Sequence, residues 1–320
     1  MSKAIHTAIA LGLVTGIVLT IAGVIFTPTL LQWMGTPPEV LPQSIIYFRY
    51  YFCGAIFTVM YNIFVGILHA VGDSRHPLYY LICSALLNVV LDMLLVAFFG
   101  FGVGAAGLAT TVSQGLSALL CFIHLLRVDA PYRINLRKIR FDGKSLLQIL
   151  RYGVPSGIQN SVISIANVVV QSNINSFGKA AMAGCGAYSK LEGFAFLPVT
   201  CFTQALSTFV GQNLGAGRHD RAKKGATFGI ICCCLTAQII GLLLYLFAPG
   251  LIAFFSDTPD SVRFGVMHMR TICLFYFLLA FSYCVVGILR GAGKTTIPMF
   301  TMLLCWCVIR VGYITVAVRF

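Results

Sequence analysis

Residues 66–77 and 287–298 carry one pattern twice, 221 positions apart. Gly66, Ile67, Leu68, Gly72 and Pro77 fall on Gly287, Ile288, Leu289, Gly293 and Pro298. Each copy closes a long apolar segment with a short Gly-rich polar turn, and the proline opens the next segment. The same gapless offset puts Pro28 on Pro249, Leu30 on Leu251, Pro38 on Pro259, Arg49 on Arg270 and Val65 on Val286. A register held this long is the mark of an internal duplication, so both halves of the chain should fold by one plan.

That plan needs lipid as its solvent. The chain is 58% hydrophobic and only 10% charged, against roughly 25% charge in a soluble domain. Nine apolar stretches reach the ~20 residues that cross a bilayer as a helix. They are 7–32, 43–69, 77–99, 103–126, 153–177, 182–213, 225–253, 264–289 and 297–318. All are too long for barrel strands and none alternates. The first is also too long for a removable signal peptide and lacks a small-residue cleavage site. The predicted fold class is all-α, a polytopic membrane protein. The Cys residues lie inside apolar stretches without metal-ligand spacing and read as small fillers. No metal and no cofactor is expected.

Loop charge sets the orientation. Alternate connections hold Lys3, Arg75, the seven Lys and Arg of 127–152, the four of 214–224, then Arg290 and Lys294. The opposite set holds only Lys179, Arg263 and Arg319. The first set is therefore expected in the cytoplasm of a multi-pass protein of the cell (inner) membrane, as loops 70–76, 127–152, 214–224 and 290–296. Six helix steps separate the twin turns, an even number, so the repeats are parallel rather than inverted. Residues 127–152 form the longest polar segment, with no aromatic interleaving to suggest nucleic acid. The division expected is 1–126, a linker at 127–152, and 153–320. The register aligns Lys3 with Lys224, and so gives helices 153–177 and 182–213 no counterpart in the first half. The chain reads as a twelve-helix protein without helices one, two and twelve.

Several pieces resemble the multidrug and toxic compound extrusion (MATE) family of cation-coupled antiporters. They are Gly287, Ile288, Leu289, Arg290, Gly291 and Gly293 followed by Pro298; Gly153-Val154-Pro155; the run from Gly211 to Gly217; and Asn88 with Asp92. The resemblance covers nearly the whole chain. It implies two six-helix lobes around a cavity that opens alternately to each side, as a monomer among membrane lipids. It implies export of organic, often cationic compounds in exchange for H⁺ or Na⁺, and no enzyme. The family's Na⁺-coupled branch carries a Glu and an Asp where motif alignment finds Ile163 and Leu279 here. No coupling site can therefore be carried over.

The residues themselves supply candidates. Gly293-Lys294-Thr295 is not a phosphate loop, because the leading Gly is one residue too far away, no strand precedes it, and Asp73 stands at the twin position of Lys294. Acids inside a membrane are costly and functional by default. Glu192, one turn after Tyr188 and followed by Gly193 and Pro198, fits cation coupling at a weakened helix; the other reading is a structural partner for Lys190 or for an Arg of another helix. Asp92 fits cation coupling or a hydrogen bond that holds helices together. Asn160, Ser164, Asn167 and Gln171 form one helical stripe, with Gln159 beside it. Such a stripe suits a wet cavity or interhelical hydrogen bonds. Tyr61, Tyr188, Phe194 and Tyr283 offer aromatic faces to an organic cation. His69, His76, His124, His219 and His268 read as interfacial side chains. The alternatives are a lipid-linked oligosaccharide flippase, which would want a cavity rich in Arg and Lys, a transport-inactive fragment, and an intramembrane enzyme, for which no facing pair of chemical groups is visible.

Overall fold

The computed structural model describes residues 2–33, 36–255 and 258–317, and among these there is helix and no strand. Arg319, counted above with the outer charges, lies outside the described residues. The chain divides into two compact units, Met1–Ile149 and Leu150–Phe320. Unit 1 contains α1 (Ser2–Trp33), α2 (Leu41–Cys53), α3 (Ala55–Ala70), α4 (Arg75–Asp92) and α5 (Val103–Arg127). Helix α6 (Gly143–Asn175) begins in unit 1 and continues into unit 2, where α7 (Lys179–Gly215), α8 (His219–Ala253), α9 (Pro259–Cys273), α10 (Tyr276–Gly291), α11 (Thr296–Met302) and α12 (Arg310–Ala317) follow. A π-helical turn, Met93–Phe98, extends α4, and another, Leu303–Ile309, joins α11 to α12.

Over the described residues all nine apolar stretches are helical, with two differences from expectation. Among the described residues seven helical spans are long and apolar enough to cross a membrane, and α9 with α10 makes an eighth if that bent pair counts as one. The remaining stretch, α6, is long enough at 33 residues, but its amides and hydroxyls dilute it. Helix α6 also starts ten residues before Gly153, so its first turns lie within the polar segment 127–152. Its residues 134–142 fold back on α1. The Asn135 amide donates to His6 Nε2 at 3.0 Å, the Asp142 amide to Thr7 Oγ1 at 3.1 Å, and Lys3 lies 3.5 Å from Asp142. Asp142 caps α6 by accepting from the Ser145 amide and hydroxyl. Those bonds hold its carboxyl below the usual carboxylate range.

The duplication is visible element by element. Helices α3 and α10 start and stop in register, and so do the starts of α4 and α11. Helix α1 packs on α2 and α3, as α8 packs on α9 and α10. Both twin turns close alike. The Asp73 amide donates to Leu68 O at 2.9 Å and the Lys294 amide to Leu289 O at 2.8 Å, with Gly72 at φ 88° and Gly293 at φ 74°. This is the six-to-one closure that needs a left-handed residue, hence the glycine. The Arg218 amide closes α7 in the same way on Asn213 O, through Gly217 at φ 71°. Pro77 and Pro298 are both buried at the start of the following helix.

Each repeat is broken at one register position, and the two units repair the break differently. In unit 1 the break is Gly54, whose amide turns back to Tyr51 O. The Tyr50 carbonyl then accepts from Thr111 Oγ1 of α5 at 2.7 Å. In unit 2 the break falls at Leu274 and Phe275, and α9 and α10 meet at 56°. There Gln238 of α8 accepts from the Phe277 amide at 3.3 Å and donates to Cys273 O at 3.5 Å. Pro249 cannot donate to Tyr245 O; Arg270 Nε reaches that carbonyl at 3.5 Å and its guanidinium stacks on the Tyr245 ring.

Packing within each unit is close and built on small residues, as suits helices in lipid. Unit 1 buries Ile9, Phe64, Leu68, Cys121 and Leu125. Unit 2 buries Tyr188, Ala237, Met269, Cys273, Ala280 and Cys284. A Cβ at Gly287 would lie 2.5 Å from Thr203 O, and one at Gly291 2.4 Å from Ser207 O, so α10 rests directly on the α7 backbone. Gly66, the twin of Gly287, faces open space.

Candidate functional site

Helix α7 carries Glu192 near its centre because the turn around it is apolar except for small and polar residues at helical spacing. Tyr188, one turn earlier, is fully buried and donates its hydroxyl to Glu192 Oε1 at 3.0 Å. The same hydroxyl lies 3.1 Å from the hydroxyl of Tyr276 at the start of α10. The His268 ring of α9 packs against Tyr188 at 4.7 Å. Lys190 turns away to the Phe255 ring, so the ion pair between neighbours weighed from sequence is not formed.

The free side of Glu192 faces a cavity of about 770 Å³. Asn167 of α6, Phe196 and Gly193 of α7, Tyr283 of α10, Trp306 and Arg310 also line it. Glu192 and Arg310 are the charged groups of that lining. They make no direct ion pair among the described residues. Arg310 Nη1 instead donates to Asn167 Oδ1 at 2.8 Å, and the guanidinium stacks on Trp306. Tyr283 meets Phe196 edge to face. Ile163 and Leu279, the two positions at which the resemblance would put acids, line the same cavity as apolar wall.

The other candidates fall as follows. Gln159 is buried and accepts from Arg290 Nη2 at 3.1 Å, tying α6 to α10. Asn160 and Ser164 are exposed, with Ser164 donating to the Asn160 carbonyl. Gln171 donates to Asn175 at the exposed end of α6. Phe194 points outward, and Phe196 takes the cavity position. Tyr61 sits at the edge of the unit 1 core. His268 lies inside α9 rather than at a helix end or loop.

Unit 1 holds a second polar group. Asp92 Oδ1 and Asn88 Nδ2 on α4, with Ser113 Oγ and Gln114 Oε1 on α5, are buried and lack a hydrogen-bond partner among the described residues. Buried polar atoms without partners are rare and call for an explanation. Elsewhere in the unit, Asp73, His76 and His124 converge. Sequence reading placed these two histidines separately, because 48 positions divide them and only the fold joins them.

Comparison with known proteins agrees with this architecture. The family profile described as MatE matches residues 1–94 and 155–315. The chain is similar to the probable multidrug resistance protein YpnP of Bacillus subtilis (strain 168), 30% identical over 290 residues that cover 90% of this chain and 64% of that protein. It is similar to the FAD transporter of Shewanella oneidensis, 27% identical over 270 residues, 81% of this chain and 58% of that protein. The chain thus spans less than two thirds of the length of these curated relatives. Among solved structures, a MOP superfamily transporter from Pyrococcus furiosus Vc1 (DSM3638) superposes with TM-score 0.93 at 23% identity, over 100% of this chain and 72% of that one. An outward-facing multidrug resistance MATE family transporter of the same superfamily superposes at 0.92, also at 23% identity, over 99% and 72%. At that identity the likeness shows the fold.

Proposed function

Because the chain belongs to the MatE family, a family of transporters rather than enzymes, we propose that it serves a secondary antiporter exporting organic, often cationic, compounds in exchange for H⁺ or Na⁺. Its setting is a cell membrane, entered as a monomer with the Lys- and Arg-rich loops in the cytoplasm. Residues 1–126 and 153–320 are proposed as partial N- and C-lobes on either side of the 127–152 linker.

The observation that carries the reading is the presence of both Glu192 and Arg310 in the lining of one cavity. With Glu192 ionised, the lining is close to neutral, and aromatic faces at Tyr283, Phe196 and Trp306 attract an organic cation. With Glu192 protonated or holding Na⁺, Arg310 leaves a net positive wall that repels the cargo. Cation and cargo thus exclude one another, which is what exchange requires. Tyr188 orients the carboxylate, and Pro198 frees the helix beyond it to bend. Asp92, with its unpartnered buried oxygen, is the second coupling candidate.

The test is efflux of a fluorescent organic cation from proteoliposomes carrying this chain under an imposed pH or Na⁺ gradient. Gradient-driven transport that Glu192→Gln strongly lowers and Asp92→Asn reduces supports the proposal. Transport indifferent to both gradients overturns it; no transport at all favours the inactive fragment. A second reading rests on Arg310, which also suits an anionic cargo, and on the similar FAD transporter. Uptake of FAD in place of the cation would select it.

A further inference from the structure

The first twin turn differs from the second in chemistry although the backbones match. Asp73 and His76 stand where Lys294 and Ile297 stand in the second copy. The end of α5 brings His124 against them. The ligand atoms of Asp73, His76 and His124 all lie within 4.8 Å of one another. His76 Nδ1 is 2.6 Å from Asp73 Oδ2, His124 Nε2 is 3.8 Å from the same oxygen, and the two imidazole rings stand 4.3 Å apart.

Two histidines packed ring against ring beside one carboxylate need a reason. His124 Nε2 supplies a pointer, since it is buried and has no hydrogen-bond partner among the described residues. Its other nitrogen, Nδ1, lies 3.1 Å from the Tyr80 hydroxyl of α4. A proton on Nδ1, donated to Tyr80, leaves the Nε2 lone pair free and aimed at the Asp73 oxygen. That is the arrangement by which proteins fix a metal-binding imidazole.

We propose that Asp73, His76 and His124 form a binding site for a divalent transition metal of the zinc class, with Tyr80 as the positioning residue. Two imidazoles and one carboxylate suit Zn²⁺ or Co²⁺. Mg²⁺ and Ca²⁺ require more oxygen ligands than the site offers. Bonds of about 2.0–2.2 Å in a tetrahedron place neighbouring ligand atoms about 3.3 Å apart. His124 Nε2 must close slightly and the His76–Asp73 pair must open slightly, the latter at an exposed side chain. The fourth position is left to water. An ion there fastens the α3–α4 turn to the end of α5. The site stands apart from the Glu192 cavity and from Asp92, and does not rest on the transport reading.

The test is titration of tag-free, chelator-stripped protein in detergent with Co²⁺, followed by visible absorption. One equivalent of Co²⁺ should give the bands of a four-coordinate ion, bleached by one equivalent of Zn²⁺. His76→Gln and His124→Gln should each remove the bands, and Tyr80→Phe should weaken binding about 10–100-fold. His69→Gln and His219→Gln should leave it unchanged. His76 is exposed, so His76→Gln decides the matter should His124→Gln fail to fold. The absence of stoichiometric bands in the unaltered protein, or equal Co²⁺ affinity in His76→Gln, overturns the proposal.

Discussion

Arg310 Nη1 donates to Asn167 Oδ1 across 2.8 Å, which joins the last described helix of unit 2 to the C-terminal half of α6. A neutral amide thereby holds the guanidinium on the cavity wall without neutralising Glu192.

Replacing that amide should therefore disturb coupling. In Asn167→Leu the guanidinium loses its acceptor, and Glu192 is the remaining charged partner on the lining. Gradient-driven transport should fall, and adding Glu192→Gln should cost less than it does alone. The non-additivity expected for such neighbours is about 0.5–3 kcal/mol in a double-mutant cycle of initial rates. Strict additivity would show that the three groups act independently.

The twin glycines should answer oppositely to one substitution. Gly287→Ala forces a Cβ to within 2.5 Å of Thr203 O, and overpacking of this kind costs about 1–3 kcal/mol. Gly66→Ala meets open space within this chain and should stabilise α3 by about 0.4–1 kcal/mol through the unfolded state. Thermal unfolding in detergent distinguishes the two. Equal losses would contradict the packing described.

Gln238 should be irreplaceable by an apolar residue of its size. Gln238→Leu strands the Phe277 amide and the Cys273 carbonyl at the α9–α10 break, with an expected cost of about 1–3 kcal/mol. Hydrogen exchange at the Phe277 amide reads this directly and should quicken. Its register twin is Ile17, and in that repeat the break at Gly54 is bridged from α5 by Thr111 instead.

Acid should loosen the start of α6. The Ser145 bonds depress the folded-state titration of Asp142, so its contribution is present above the unfolded carboxylate value near ~3.9. It is lost as pH falls through the lower folded value. The difference in melting temperature between the native chain and Asp142→Ala should hold from neutral pH down to about pH 5, and then close in strong acid. A difference that persists in strong acid would rule out this cap.

Sequence made the frame legible because lipid imposes length and apolarity, and duplication imposes register. Gly72 and Gly293 announced their turns, since a left-handed position selects glycine wherever it occurs. The breaks at Gly54 and at Leu274–Phe275 were invisible, because each is healed by a residue from another helix, Thr111 in one unit and Gln238 in the other. The polar stripe of α6 was read as one face. The fold divides it: Asn167 goes to Arg310, Gln171 to Asn175, and Asn160 and Ser164 stay outside, while Gln159 beside the stripe goes to Arg290. His268 was misjudged because a short helix, α9, begins at Pro259, which puts it in the interior. Ring contacts at Tyr188 and His124 likewise join segments distant in sequence, and periodicity carries no information about such pairs.

The folding of residues 134–142 onto His6 and Thr7 has a consequence for handling the protein. This stretch carries Arg137, Lys138 and Arg140, and its neighbours Arg133 and Lys144 complete a run of sites for a trypsin-like protease. The stretch is pinned to the first turns of α1 at Asn135, Arg140 and Asp142, so a nick there would register the peeling of that helix from its seat.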